Sequence, residues 1–280
     1  MRKVLMVSLL LLVFVLASCK KEGRNITVPR EEQFIVGMEA NYAPFNWTED
    51  FATPYNYPIN NFEGKYADGY DVQIAKAIAA SLGKVLVIEK LDWDALIPNL
   101  EIGKIDAIIA GMSPLPERQE SVSFTEEYYH SYHVILVLAD GDYANGNTLS
   151  SFAGATFVGQ QGTTYDQLID QLTGVNHGTA LENVPDILTG ILGGRIDGTV
   201  LEYPVAKGII MENDEFALIE LETGFEAEQV ELMVSVAVRL DETDLVNDIN
   251  AILNAIPLEV RNKLMDQAIL RNAANKVNEE

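Results

Sequence analysis

The 280-residue chain carries 42 acidic against 19 basic side chains, a formal net charge of -23, and is 48% hydrophobic. Such a surface repels nucleic acid and anionic lipid, so neither is an expected partner. The apolar content is enough for one large core or two of ordinary size.

Arg2 and Lys3 precede an uncharged, mostly Leu/Val run over 4–17. A positive n-region followed by a short apolar h-region predicts a signal peptide rather than a membrane span. The run ends at Leu-Ala-Ser-Cys, and Cys19 is the only cysteine in the chain. Leu-Ala-Ser-Cys resembles the lipobox of bacterial lipoproteins, which implies cleavage of 1–19, lipidation of Cys19 and attachment to a membrane through that lipid. The alternative is an ordinary signal peptide with a chance cysteine. A lone thiol in an exported chain has no disulfide partner. Residues 20–33 read as a polar tether. Without Arg2 and Lys3, 17 bases face 42 acids, a net charge near -25.

QFIVGM predicts a buried strand ending at Glu39, ADGYDVQIAKAIAASLG a helix closed by Gly83, and VLVIEKL a strand. Between them EDFATPYNYPINNFEGKY, rich in Asn, Pro and Tyr, predicts a long irregular loop. LIPNLEIGKIDAIIAG (96–111) aligns with ILTGILGGRIDGTVLE (187–202), with Gly-basic-Ile-Asp identical in pattern at Gly103–Asp106 and Gly194–Asp197. Each copy reads as a helix end, a Gly stop, a charged turn and a short apolar strand. In the second half GATFVG predicts a strand, with TTYDQLIDQL and VPDILTGILGG as helices. Alternating strands and helices in two related halves predict two α/β lobes with mostly parallel sheets.

Ligands of such sheets gather beyond the carboxyl ends of the strands. Four loops stand there: 39–45, 111–118, 160–165 and the residues from Glu202 onward. If the lobes face each other, all four line one cleft. In the third, Thr164 can cap a helix, with Gln167 completing a capping box, and free amides at a helix start form an anion site. A plain helix cap is the alternative. In GMSPLPERQ, Ser113 offers a hydroxyl, Pro116 suits a first helical position, and Arg118 presents a planar fork matched to a carboxylate. A surface salt bridge is the competing explanation for Arg118 in a chain this acidic. Glu202 occupies the place that Gly111 holds in the first copy, where a carboxylate is either a rim residue or the partner of a buried cation. Arg and hydroxyls on one side and a carboxylate on the other match an α-amino acid zwitterion. Tyr42, Phe45, Trp47 and Trp93 lie near the same strand ends, some as cleft walls and some as ordinary packing.

Enzyme signals are poor. His130, His133 and His177 show no metal spacing, and His130 and His133 would point to opposite faces of one strand. Gly-x-Ser-x-Gly and Gly-x-Gly-x-x-Gly are missing. Asp92/Asp94 and Glu126/Glu127 read as ordinary surface pairs.

The run ANYAPFNW, GYDVQIAKAIA, WDALIPNLEIGKIDAIIAGMSPLPERQESVSFTEEYY, then FVGQQGTTY and GRIDGTVLEYPVA, resembles the polar amino-acid substrate-binding proteins of bacterial ABC importers. The resemblance implies a two-lobed periplasmic-binding-protein fold of type II. Its lobes would be joined by two hinge strands, with 34–138 as the first part of lobe 1, 139–230 as lobe 2 and 231–280 as the second part of lobe 1. It implies that Arg118 clamps a ligand α-carboxylate, with Ser113, Gln160, Thr163 and Thr164 assisting. Glu202 and the Gly111 carbonyl would meet the ammonium, Tyr42 and Trp93 would wall the side chain, and Glu39 would face a distal cation. The implied ligand is a basic amino acid, taken up by a monomer without cofactor and passed to a membrane permease. Two residues depart from the pattern. Leu115 stands where a hydroxyl residue commonly caps the helix carrying Arg118, and Glu202 replaces the usual, shorter Asp.

Two other classes remain. A cyclohexadienyl dehydratase on the same fold would use a cleft carboxylic acid such as Glu202 or Glu39. A sensor domain would carry a downstream membrane helix and output domain, which this sequence lacks.

Overall fold

The computed structural model describes residues 28–276, so the expected signal peptide, Cys19 and most of the tether lie outside the described residues. Strand β1 (Gln33–Met38) leads into a hairpin of β2 (Asn41–Tyr42) and β3 (Asn46–Glu49). The segment expected to be irregular contributes β4 (Tyr57–Pro58) and β5 (Tyr66–Asp68) instead. These pair with the hairpin in a small antiparallel sheet, β2-β3-β5-β4. The Asn56 side chain accepts from the Thr53 amide at 2.9 Å and donates to the Phe51 carbonyl at 2.8 Å. Such side chain-to-backbone bonds order a segment whose composition reads as loop.

Helix α1 (Tyr70–Ser81) starts directly after Gly69. Gly69 has φ 135°, and a Cβ there would lie 2.1 Å from the Phe45 carbonyl oxygen, so only glycine fits. Next come β6 (Val85–Lys90), α2 (Leu96–Glu101), β7 (Ala107–Ile108), α3 (Pro116–Gln119) and β8 (Val122–His130). The second half opens with β9 (His133–Leu138), β10 (Thr156–Phe157), α4 (Thr164–Leu168) and β11 (Asn176–His177). It continues with α5 (Val184–Leu192), β12 (Gly198–Glu202), α6 (Tyr203–Glu212) and β13 (Phe216–Ile219). After α7 (Gln229–Leu232), β14 (Met233–Arg239) returns to the first sheet, followed by α8 (Thr243–Ala255) and α9 (Leu258–Lys276).

The two large sheets have the same plan, β6-β1-β7-β14-β8 and β11-β10-β12-β9-β13. In each, three strands pair in parallel and two further pairings are antiparallel, so only β14 and β9 run against the rest. The sequence repeat ends in β7 and β12, which occupy equivalent places. Its Asp has one job in both copies: Asp106 accepts from the Ile35 amide at 2.9 Å, and Asp197 from the Thr156 amide at 2.7 Å. Each carboxylate thus ties its turn to the neighbouring parallel strand. The chain leaves the first sheet after His130 and joins the second at His133, so the crossing falls near Ser131 rather than after 138. His130 and His133 therefore sit on different strands in different sheets, not on two faces of one.

Candidate functional site

The four strand-end loops converge between the two sheets. Gln160 Nε2 donates to Glu39 Oε1 at 3.1 Å, and Gln161 Nε2 to Asp94 Oδ2 at 3.1 Å. Tyr42 Oη lies 3.3 Å from Tyr165 Oη, and Arg118 Nη2 donates to the Gly162 carbonyl at 3.0 Å. The lobes are closed on one another along this line.

Arg118 is partly buried, and its second guanidinium nitrogen donates to the Ser113 carbonyl at 2.9 Å. Its guanidinium carbon stands 5.2 Å from the Trp93 ring centre, a cation–π distance. Arg30, Arg239 and Arg271 each find a carboxylate, whereas Arg118 pairs with none among the described residues. A surface salt bridge does not account for it. As expected, Leu115 supplies no side-chain cap to α3, whose first turn starts at Pro116. The Gln119 side chain donates to the Pro114 carbonyl just before the helix. The Ser113 hydroxyl turns toward the Glu231 carbonyl at 3.4 Å, leaving the Ser113 carbonyl to hold Arg118.

Glu202 ends β12 fully inside the cleft, where its two oxygens accept from the hydroxyls of Tyr42 and Tyr165. Burial pushes its carboxyl up to about 7, against the two tyrosine hydrogen bonds. Gly111, at the equivalent end of the first copy, has φ 65°, and a Cβ there would lie 3.3 Å from the Tyr42 ring. Gly111→Ala is expected to cost ~1–2 kcal/mol of stability through the left-handed backbone alone, measurable as a lower urea midpoint.

Glu39 is buried, and desolvation raises its carboxyl to about 7, offset by Gln160, Lys90 and Asn41. Lys90 Nζ donates to the carbonyls of Glu39 and Ala40 at 2.8 and 3.0 Å, bracing the loop. Beside Glu39 opens a cavity of about 400 Å³ whose lining includes Asn41, Asp92, Trp93, Asp94 and Glu182. Four carboxylates and no basic side chain line it. Asp92 and Asp94 are both exposed, as expected of a surface pair, and also line this cavity.

Helix α4 begins at Thr164, so Thr163 takes the cap position, and neither threonine caps an amide. The Thr163 hydroxyl donates instead to the Gln160 carbonyl at 2.7 Å, so the expected box with Gln167 does not form. Thr164 is buried behind the same turn. Phe45 and Trp47 are core residues; Phe45 stacks on Tyr42 with centroids 5.7 Å apart, whereas Trp93 stays partly exposed at the cleft. Sequence reasoning passed over Tyr165, although it closes the QQGTTY turn. It also passed over Lys90, and it weighed His133 only as a metal ligand. His133 is buried opposite Glu202 with both ring nitrogens unpartnered, and burial lowers it to about 4. Among the described residues no His/Cys/Asp/Glu group could hold a metal, and no helix is long and apolar enough to cross a membrane.

Two α/β lobes of matching topology, closed over a polar cleft at their strand ends, define a two-lobed periplasmic binding protein. Residues 34–267 match the family of bacterial extracellular solute-binding proteins, family 3, and the chain belongs to it. It is a polar amino-acid substrate-binding protein of the ABC-transporter type. The arginine-binding extracellular protein ArtP of Bacillus subtilis is 27% identical over 207 residues, covering 73% of this chain and 74% of its own. The ABC transporter arginine-binding protein 1 of Escherichia coli is 26% identical over 237 residues, covering 84% and 90%. Among solved structures, the arginine-bound form of truncated ArgBP from T. maritima superposes with a TM-score of 0.68 at 28% identity, over 81% of this chain and 97% of that one. The substrate-binding protein AbpA from Streptococcus pneumoniae, bound to L-arginine, gives 0.74 at 24% identity over 87% and 97%, a likeness of fold.

Proposed function

We propose that this chain is an exported receptor, lipid-anchored through Cys19, that captures a basic L-amino acid by lobe closure and delivers it to an ABC permease. Arginine, lysine and ornithine are the ligands in question. One observation carries the reading: Arg118, without a carboxylate partner among the described residues, shares the closed cleft with two buried carboxylates, Glu39 and Glu202. Arg118, with no carboxylate partner, meets the ligand carboxylate, with Ser113, Gln160, Thr163 and Thr164 shaping that end. Glu202 and the Gly111 carbonyl meet the ammonium, Tyr42 and Trp93 wall the stem, and Glu39 faces the distal cation beside the cavity lined by four carboxylates. The names of the arginine-binding relatives support the same class of ligand.

We divide the chain into a lobe built from 34–138 and 231–280 and a second from 139–230, with β9 transferred to the second on its strand pairing. The receptor acts as a monomer, without cofactor or turnover. A thermal-shift screen of the twenty amino acids with ornithine and citrulline tests the ligand class. Binding of only acidic or apolar ligands would remove Glu39 from the argument. Glu39→Gln is expected to weaken arginine roughly 10- to 100-fold by removing a charged hydrogen-bond acceptor, while citrulline binding changes little in calorimetry.

A second reading draws on Glu39 and Glu202, both pushed up to about 7, where a carboxylic acid gives up its proton near neutral pH. A dehydratase of the cyclohexadienyl type would use such an acid. Incubation with prephenate and arogenate is expected to give no product, and turnover would establish the enzyme.

A further inference from the structure

Asp71, in the first turn of α1, has no exposed surface and no cationic partner among the described residues. Burying a carboxylate in this way is costly unless hydrogen bonds replace its water. Both oxygens are satisfied by side chains that are themselves fully buried. Asn46 Nδ2 donates to Oδ2 at 2.7 Å, and the Tyr128 hydroxyl donates to Oδ1 at 2.7 Å. Each of these side chains holds a backbone amide in turn. The Ala40 amide donates to Asn46 Oδ1 at 2.6 Å, and the Gly111 amide to the Tyr128 oxygen at 3.2 Å.

Every proton in this chain points toward Asp71. The Gly111 amide gives its proton to the Tyr128 oxygen, so the hydroxyl proton of Tyr128 goes to the carboxylate. The Ala40 amide needs the carbonyl end of Asn46, so the amino end of Asn46 faces Asp71. Both Asp71 oxygens must therefore act as acceptors. The two amides at the ends belong to residues in the left-handed region, Ala40 at φ 52° and Gly111 at φ 65°, a conformation that needs external support at a residue with a Cβ. Ala40 sits between Glu39 and the β2 residues, and Gly111 opens the loop to Arg118. An ordinary first-turn acid needs none of this, because it already gains from the helix start.

We infer that Asp71 is a positioning residue for the amino-acid site: through Asn46 and Tyr128 it locks the loop bearing Glu39 and Tyr42 to the strand end bearing Gly111. The inference rests on the amino-acid reading of the cleft. Burial raises the Asp71 carboxyl to about 7, with the Tyr128 and Asn46 bonds opposing.

The test uses three variants of the full chain, with arginine affinity read by calorimetry well below every melting midpoint. Asp71→Asn puts a donor where an acceptor is required and is expected to weaken arginine tenfold or more. Tyr128→Phe removes only the Gly111 arm and is expected to lose several-fold. The double change Asn46→Asp with Asp71→Asn restores the alternation: acceptors face the Ala40 amide and the Tyr128 hydroxyl, and a donor–acceptor pair joins the two side chains. It is expected to recover affinity to within a few-fold of wild type, which a purely structural acid would not predict. Wild-type affinity in Asp71→Asn or Tyr128→Phe, even with a lower melting midpoint, overturns the inference. If Asp71→Asn does not fold, Tyr128→Phe and the double change decide it. A wild-type chain that binds no basic amino acid overturns the underlying reading instead, and is seen before any variant is made.

Discussion

Arg118→Ala is expected to weaken amino-acid binding by about 2–5 kcal/mol, roughly 30- to 5,000-fold, the cost of leaving a desolvated carboxylate without its cation. The contacts of Arg118 make this a clean measurement. In this closed arrangement the guanidinium holds two carbonyls, of Ser113 and Gly162, and the face of Trp93. Its loss strands no protein carboxylate, unlike that of Arg271, which pairs with the buried Asp68. Ligand-free stability should therefore move far less than affinity. Arg118→Lys should fall between wild type and Arg118→Ala, because an ammonium keeps the charge but cannot offer two parallel N–H groups to one carboxylate. Calorimetry on the three proteins decides it. Unchanged affinity in Arg118→Ala would remove this residue from the site, and equal loss of stability and affinity would make it a structural arginine.

Strand-end residues were legible because the sequence repeat fixes where each copy stops. Gly-basic-Ile-Asp marks a turn whose Asp binds the adjacent parallel strand, so β7 and β12 start at equivalent points and the two copies run on to Gly111 and Glu202. Arg118 could be singled out because Pro116 and the preceding apolar run frame it. Tyr165 could not be weighed in this way. Its meeting with Glu202 spans 37 positions inside the second lobe and that with Tyr42 spans 123 positions across the lobes, and no local pattern encodes either contact. Asp71 was hidden for the opposite reason: an acid in a first helical turn already has a local explanation. Asp92 and Asp94 are surface residues as they read, and what no local pattern shows is that Gln161 and Glu182 of the second lobe make them part of a cavity lining. The early crossing at Ser131 was missed because only Ser131 and Tyr132 separate β8 from β9, so His130 and His133 read as one strand.

Acidification is expected to pull affinity and ligand-free stability in opposite directions. Glu39 and Glu202 are both pushed up to about 7 by burial, and a basic amino acid needs both ionised. Below that pH each carboxylate must release a proton on binding, which costs about a factor of ten per pH unit. Arginine should therefore lose about a hundredfold per unit, and citrulline, which does not call on the charge of Glu39, about tenfold. Stability follows the other sign. With Asp71 also raised to about 7, three carboxyls hold protons more tightly folded than unfolded. Their contribution is complete below the unfolded value of about 4 and is lost as pH rises through about 7. His133, lowered to about 4 by burial, opposes them: its contribution is present above about 6.5 and fades as pH falls toward 4. Three groups against one leave the ligand-free protein with the higher melting midpoint at about pH 5.5 rather than at about pH 8. Calorimetry in buffers of different ionisation heat counts the released protons directly. An arginine affinity that stays flat from pH 8 to 5.5 would mean that neither carboxylate is the ligand's counter-charge. An equal slope for arginine and citrulline would leave Glu202 in place and remove Glu39 alone, because only the side-chain charge separates the two ligands.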